Sequence, residues 1–126
     1  MDPRRFWRVI FLTAAIAATG VNAQESVRLL VQNSPLAGFR YHGAGGVWRE
    51  LRVGDRLELA REPLNPHDAN AVAVLWHGHK LGYVPRRENA ALAWGLDRGT
   101  QLRARISALA EHPNPARRVR FDVYVE

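Results

Sequence analysis

Residues 65–84 read NPHDANAVAVLWHGHKLGYV, a polar cluster followed by two apolar segments around a glycine. Its apolar run at residues 71–76 predicts a central β-strand. The glycine between two histidines at 77–79 predicts a tight turn, and residues 80–84 predict the returning strand. The sequence therefore predicts a β-hairpin at the centre of the domain, entered through a cluster of polar residues.

The segments on either side of this hairpin predict more short strands. Apolar alternation and short apolar runs place these strands at residues 27–31, 36–41, 56–61, 101–106 and 119–125. Residues 32–35 (QNSP) predict a turn between the first two strands. Three glycines within residues 42–46 predict a mobile loop.

One helix is predicted at residues 86–96, after Pro85 and before Gly99, an arrangement typical of helix ends. Because closure of a sheet removes its exposed edges, many short strands favour a small barrel. The predicted fold class is mainly β: a small OB-like or SH3-like β-barrel of about six strands, with one α-helix covering an open end.

The first 23 residues have the pattern of a secretory signal peptide. Three arginines precede the apolar run VIFLTAAIAA at residues 9–18, and VNA at 21–23 is a small-x-Ala cleavage sequence. A bilayer span needs about 20 apolar residues. We therefore expect cleavage after Ala23, a periplasmic or secreted domain of residues 24–126, and no stable membrane span after cleavage. A retained anchor is the alternative.

The charge balance points to anionic partners. The net charge is +6 and would be +4 without residues 1–23, and Lys80 is the sole lysine beside many arginines. A positive field favours nucleic acid, phospholipid surfaces or anionic glycans without choosing among them. The chain has no cysteine, which excludes thiol catalysis, thiolate metal sites and disulfides.

Enzyme and metal-site motifs are missing from the sequence. Nucleophile-elbow, zinc-protease and phosphate-loop patterns do not occur. His77 and His79 could share a metal ion, but at a hairpin tip we expect them to face solvent, and no third ligand is apparent. The sequence therefore predicts a non-enzymatic protein with no cofactor and no metal site.

The polar cluster before the central strand contains more polar groups than a turn needs. Asn65 with Pro66 starts a turn, and Asp68 can accept a hydrogen bond from a backbone N–H further along. Asn70 could satisfy a neighbouring loop carbonyl. This explanation does not account for all four polar groups. A binding site is the alternative explanation for the cluster.

Three stretches together resemble the HIRAN domain family: RY at residues 40–41, REPLNPHDANAVAV at 61–74 and KLGYVPRRENAALA at 80–93. The N-P-x-D-x-N-A pattern followed by L-G-Y-V-P carries most of the resemblance, which covers most of residues 27–125. The resemblance implies an OB-like barrel with a helix. It also implies binding of single-stranded DNA, with a preference for a free 3′ end.

The resemblance assigns the nucleic-acid-binding role to seven residues, namely Arg40, Tyr41, Asn65, His67, Asp68, Tyr83 and Arg86. His67 stands where the family commonly has tyrosine, Tyr83 where histidine can occur, and Arg86 where lysine can occur. These replacements keep a flat ring or a positive charge. The chemistry is independently reasonable, because single strands bind to rings through their bases and to cations through their phosphates.

Asp68 has a specific expected role in such a site. A carboxylate can accept a hydrogen bond from a terminal hydroxyl but repels the phosphate of an internal nucleotide. Two alternatives to nucleic-acid binding stay open. One is an exported non-enzymatic module for a protein or an anionic cell-envelope ligand. The other is a structural domain of a larger envelope assembly, with Trp48 or Trp94 as contact residues.

Overall fold

The structure is a computed structural model that describes residues 29–125. The predicted signal peptide, residues 1–23, lies outside the described residues. The described strands and α-helices are β1 (Leu29–Pro35), α1 (Ala44–Val47), β2 (Arg56–Arg61), β3 (Val72–Trp76), β4 (His79–Tyr83), α2 (Ala90–Asp97), β5 (Leu102–Leu109) and β6 (Val119–Val125). Short 3-10 helices lie at Phe39–Tyr41, Trp48–Glu50, Arg86–Glu88 and Pro115–Arg117.

Six strands form one antiparallel sheet within residues 29–125, in the order β1-β6-β5-β2-β3-β4. The prediction of a mainly β fold of about six strands is confirmed. The strand ladders do not close into a barrel. An isolated bridge, with two hydrogen bonds of 2.9 Å between Ala37 and Tyr83, joins the segment after β1 to β4 and makes the sheet barrel-like.

The predicted central hairpin is confirmed as β3 and β4. Its turn consists of His77 and Gly78, which both have positive φ (45° and 81°), as a type I′ hairpin turn requires. Gly82 in β4 lies so close to the neighbouring segment that a Cβ atom there would stand 2.2 Å from the carbonyl oxygen of Ala37. Glycine at position 82 therefore permits the bridge between Ala37 and Tyr83.

The hydrophobic core combines side chains from β2–β6, from the segment at residues 36–51 and from α2. Burial of apolar surface is the main stabilising contribution in such a fold, and each Å² buried contributes about 25 cal/mol. The largest fully buried side chain is Phe121 of β6, and α2 contributes Leu92 and Ala93. Neither helix between residues 29 and 125 has the length and apolar character required to cross a bilayer.

Two predictions near the start of the domain were wrong. Residues 32–35 are not a turn but continue β1 after a register shift between Leu30 and Gln32. Residues 36–41 are not a strand, because Gly38 has a φ of 78° and a 3-10 helix follows at Phe39–Tyr41. The Phe39 ring is buried against Trp48, with ring centroids 5.7 Å apart, and this tertiary contact overrides the strand pattern.

Two further predictions need correction. The glycine-rich segment at 42–46 is not an open loop, since α1 begins at Ala44, which is fully buried, and the Gly43 N–H donates to the Lys80 carbonyl. The predicted helix at 86–96 divides into a 3-10 turn at Arg86–Glu88 and α2 at Ala90–Asp97. The buried Asn89 stands between the two pieces, and its side chain contacts the polar cluster instead of solvent.

Candidate nucleic-acid interface

A pocket of about 390 Å³ opens beside the bridge that joins Ala37 to Tyr83. Its walls come from residues 37–42, 65–71 and 83–89. These three segments are distant in sequence, and the antiparallel register of β3 and β4 brings two of them together. We refer to this cavity as the terminal pocket.

Two successive side-chain turns shape one wall of the terminal pocket. Asn65 Oδ1 accepts a hydrogen bond from the His67 N–H at 2.9 Å, and Asp68 Oδ1 accepts one from the Asn70 N–H at 2.9 Å. Asn and Asp favour this geometry because their short side chains reach the backbone two residues on. The turn chemistry predicted for Asn65 and Asp68 is therefore present, and it places His67 and Asp68 at the pocket.

Asp68 is held as a carboxylate. The backbone N–H of Asn70 and the side-chain amide of Asn89, which donates to Oδ2 at 2.7 Å, lower the pKa of Asp68. Partial burial acts in the opposite direction, and the positive charge of Arg86 adds to the lowering. An ionised carboxylate has about four lone-pair positions, so these contacts leave acceptor capacity on Asp68 for a ligand.

Arg86 stands at the mouth of the terminal pocket. Its Nη2 donates to the carbonyl of His67, and its Nε lies 3.8 Å from Asp68 Oδ2. The side chain is nevertheless 72% exposed, so much of it faces solvent. Arg86 thus supports the 65–70 turn and still presents positive charge where a phosphate could approach.

Tyr83 is fixed by a polar network on the far side of its ring. Its hydroxyl donates to Glu62 Oε1 at 2.8 Å, and Lys80 Nζ donates to Glu62 Oε2 at 2.5 Å and to the Tyr83 oxygen at 3.1 Å. Burial acts to raise the pKa of Glu62, but hydrogen bonds from Lys80, Tyr83 and Asn65 outweigh it and lower that pKa. The hydrogen bond to Glu62 also raises the pKa of Lys80.

His42 completes the aromatic wall of the pocket. Its ring meets the Tyr83 ring edge to face, with centroids 5.1 Å apart and an interplanar angle of 71°. Gly38 has a φ of 78°, and a Cβ atom at Gly38 would stand 3.0 Å from His42 Cδ2. The backbone at Gly38 therefore allows His42 and Tyr83 to approach each other at the pocket wall.

The structure brings five of the seven predicted site residues to the terminal pocket: Asn65, His67, Asp68, Tyr83 and Arg86. Arg40 and Tyr41 do not line it. They line an adjoining cavity on the other side of Gly38, because residues 39–41 form a 3-10 turn instead of the predicted strand. Tyr41 is 78% exposed there.

Four residues that surround the site were missed by the sequence interpretation, namely His42, Glu62, Lys80 and Asn89. Glu62 and Lys80 lie in two of the stretches that resemble the HIRAN family. Their opposite charges could have predicted the salt bridge between them. Asn89 lies four positions after Pro85, inside the predicted helix. Asparagine is disfavoured in a helix interior, and this was the available signal. No sequence pattern in the glycine-rich segment predicts a place for His42 at the site.

The histidines of the hairpin turn and the two candidate contact tryptophans lie outside the terminal pocket. Within residues 29–125, no group of three or more histidine and acidic side chains is placed to hold a metal ion. His77 and His79 lie exposed at the hairpin tip beside Trp76. Trp48 is partly buried against the core, whereas Trp94 is 64% exposed with the Arg98 guanidinium 4.1 Å above its ring.

Comparison with solved structures places this fold among known proteins. A crystal structure of a protein from Lactobacillus plantarum superposes with a TM-score of 0.68 at 27% identity, covering 79% of this chain and 95% of that chain. The crystal structure of the HIRAN domain of human HLTF gives a TM-score of 0.57 at 19% identity, covering 81% of this chain and 83% of that chain. The second likeness is one of fold.

Comparison of sequences identifies the family. A Fanconi-associated nuclease 1 homolog from Oryza sativa subsp. japonica is 33% identical over 82 residues, which are 62% of this chain and 8% of that protein. This chain therefore spans less than a tenth of that relative. The family model of the HIRAN domain matches residues 29–126 of this sequence. Because that match takes in both the sheet and the terminal pocket, the chain belongs to the HIRAN domain family, a family of nucleic-acid-binding modules.

Proposed function

We propose that this domain binds single-stranded nucleic acid by its 3′ end, with the terminal nucleotide in the terminal pocket. The observation that carries the proposal is one carboxylate, Asp68, inside a pocket that also contains Arg86 and the rings of Tyr83 and His42. The domain acts as a binding module in this proposal, and no catalytic step is required.

Asp68 supplies the preference for an end. A 3′-hydroxyl can donate a hydrogen bond to the carboxylate, and hydrogen bonds to charged groups contribute about 1.5–3 kcal/mol. An internal nucleotide carries a phosphate instead. Two like charges about 4 Å apart repel each other by about 4 kcal/mol at the effective dielectric near a protein surface. Repulsion of the phosphate is thus the larger effect and determines specificity.

The remaining side chains provide affinity without reading sequence. Stacking of a base on an aromatic ring contributes about 1–3 kcal/mol. Tyr83 is suited to this role because Glu62 and Lys80 hold its hydroxyl, so less side-chain entropy is lost on binding. Arg86 is suited to a phosphate because its side chain is 72% exposed. His67 offers a further exposed ring at the pocket edge.

The test is a titration with matched labelled oligonucleotides that end in a 3′-hydroxyl or a 3′-phosphate. We expect the 3′-hydroxyl form to bind at least tenfold more tightly. The Asp68→Asn variant should lose this preference, because it keeps the shape of the side chain and removes its charge. Glu58→Gln is the charge-matched control, since Glu58 is an exposed acid on β2 that does not line the terminal pocket.

One result of the titration would reject the proposal. Equal, weak binding of both oligonucleotides that Asp68→Ala leaves unchanged would reject the proposal. That result would favour the alternative ligands, a protein or an anionic cell-envelope polymer. Salt dependence gives a second criterion, because two or three phosphate contacts predict a slope of log affinity against log salt of about −1.4 to −2.

We also propose, from the sequence alone, that residues 1–23 direct export to the periplasm or the medium and are removed after Ala23. N-terminal sequencing of the protein recovered from the producing cells tests this proposal. A mature chain that begins at Gln24 supports it. A chain recovered from the cytoplasm with residues 1–23 intact contradicts it.

A further inference from the structure

Two cavities continue the terminal pocket along one face of the domain. The first, of about 260 Å³, shares Gly38 with the terminal pocket and lies between the Phe39–Tyr41 turn and the β5–β6 connection. The second, of about 540 Å³, shares Asn114 and Ala116 with the first. We call this surface the flanking groove, defined by Arg40, Tyr41, Asn114, Ala116, Arg117 and Arg120.

The flanking groove has the chemistry of a single-strand-binding surface. Arg40, Arg117 and Arg120 are exposed along it, and neither cavity has an acid among its described lining residues. Tyr41 adds a ring that is 78% exposed beside Arg40. Exposed rings between cations are what a polyanion with flat bases requires.

Contacts within the protein hold the backbone of the β5–β6 connection beside the Phe39–Tyr41 turn. Asn114 Oδ1 accepts a hydrogen bond from the Ala116 N–H at 3.0 Å and so caps the Pro115–Arg117 turn. Arg118 donates to the His112 carbonyl at 2.7 Å, and its guanidinium lies 5.2 Å from the centroid of the Phe39 ring. These contacts attach the β5–β6 connection to the turn that carries Arg40 and Tyr41.

Arg120 is held in a similar way. Its Nε and Nη2 both donate to Asn33 Oδ1, at 2.9 and 2.7 Å. A guanidinium has five N–H donors, so this pair of bonds orients Arg120 and leaves donors for a phosphate. The positive charge at the far end of the flanking groove therefore has a defined position.

We propose that the flanking groove binds the nucleotides on the 5′ side of the terminal nucleotide, with Arg117 and Arg120 contacting phosphates. The family resemblance already assigns nucleic-acid binding to Tyr41, which would stack on a base. This inference rests on the proposed function of the terminal pocket. The strand leaves that pocket past Gly38, where the missing side chain keeps the passage open. Arg40 and Tyr41 mark the junction of pocket and groove, and the β5–β6 connection extends the binding surface beyond the predicted site residues.

The length of the bound strand tests the inference. Single-strand-binding OB folds cover about 4–16 nucleotides. We expect a labelled eight-nucleotide oligomer with a 3′-hydroxyl to bind at least tenfold more tightly than a dinucleotide with the same end. The Arg117→Gln/Arg120→Gln double variant should remove most of this gain and leave dinucleotide binding unchanged. Its salt slope for the oligomer should be shallower by about 1.4, since each lost phosphate contact removes about 0.7.

A charge-matched control excludes a general electrostatic effect. Arg49→Gln/Arg56→Gln removes the same charge from exposed arginines that lie outside the terminal pocket and the flanking groove. We expect this variant to bind the oligomer within twofold of the unaltered protein. Tyr41→Ala should weaken oligomer binding about tenfold, because a base would lose its stacking surface. Because these side chains are exposed, thermal unfolding should confirm that every variant is folded.

Each adverse outcome has a distinct meaning. Equal affinity for the dinucleotide and the oligomer would overturn the flanking-groove inference while leaving end binding intact. Equal losses for both ligands in the Arg117→Gln/Arg120→Gln variant would also overturn it. Displacement of the oligomer by polyglutamate of the same charge would overturn it in favour of an acidic protein partner. By contrast, a failure to distinguish 3′-hydroxyl from 3′-phosphate dinucleotides would reject the proposed function itself.

Discussion

The side-chain amide of Asn89 donates a hydrogen bond to Asp68 Oδ2 at 2.7 Å and thereby ties the start of α2 to the turn that forms the terminal pocket. Asn89 is only 2% exposed, so it has little access to water as a substitute partner. A buried polar group that loses its partner costs about 1–3 kcal/mol. This contact therefore couples the stability of the domain to the orientation of its candidate ligand-binding carboxylate.

Replacement of Asn89 should affect both stability and end preference. We expect Asn89→Ala to lower the free energy of unfolding by about 1–3 kcal/mol and to weaken discrimination between 3′-hydroxyl and 3′-phosphate ends. Urea denaturation and the oligonucleotide titration measure the two effects. Asn70→Ala is the matched control, because Asn70 contacts Asp68 through its backbone N–H, which the substitution retains. A similar loss in both variants would contradict the role of the Asn89 side chain.

Stability should decrease in acid, and the direction follows from the lowered pKa values of Asp68 and Glu62. The unfolded carboxyls have ordinary pKa values of about 3.9 and 4.3. Their contribution is fully present above those values and is lost as the pH falls through the lower pKa values of the folded protein, because the unfolded chain takes up protons first.

Urea midpoints measured between pH 7 and pH 3 check this expectation. An Asp68→Asn/Glu62→Gln variant should be less stable at neutral pH and should show a flatter decline in acid than the unaltered protein. A decline parallel to that of the unaltered protein would show that other carboxyls cause the acid sensitivity.

The close approach at Gly82 gives a prediction about the barrel-like closure. A Cβ atom at Gly82 would lie 2.2 Å from the Ala37 carbonyl oxygen, so Gly82→Ala must displace the bridge to Tyr83. We expect a loss of about 1–3 kcal/mol in the free energy of unfolding. Gly45→Ala is the control, because no atom lies within 4 Å of a Cβ there and α1 would gain about 0.4–1 kcal/mol. Thermal unfolding should show a lower midpoint for Gly82→Ala and a higher midpoint for Gly45→Ala.

The hydroxyl of Tyr83 should contribute to stability separately from its ring. Tyr83→Phe removes one hydrogen bond to Glu62 and one from Lys80, and we expect a loss of about 0.5–1.5 kcal/mol in the free energy of unfolding. Oligonucleotide affinity should fall far less than in Tyr83→Ala, which removes a stacking surface of about 1–3 kcal/mol. Equal affinities of the two variants would exclude base stacking on Tyr83.

The local parts of the fold could be predicted because their causes are local. Apolar runs and alternation identified β2, β3 and β6, and the glycine at position 78 permits the positive φ of the hairpin turn. The two Asx-type turns of the terminal pocket also depend on side chains that reach only two residues along the chain. Short-range sterics and hydrogen bonds involve residues that are neighbours in the sequence, so the sequence predicts them.

The tertiary structure alone decided the contacts between distant segments. Burial of Phe39 against Trp48 turned a predicted strand into a 3-10 helix and moved Arg40 and Tyr41 out of the terminal pocket. Other long-range contacts brought His42 to Tyr83 and Asn89 to Asp68. Sequence patterns determined most of the strands and the turn that holds the carboxylate. Packing determined what surrounds that carboxylate, because a contact between segments depends on how all of them fit into one core.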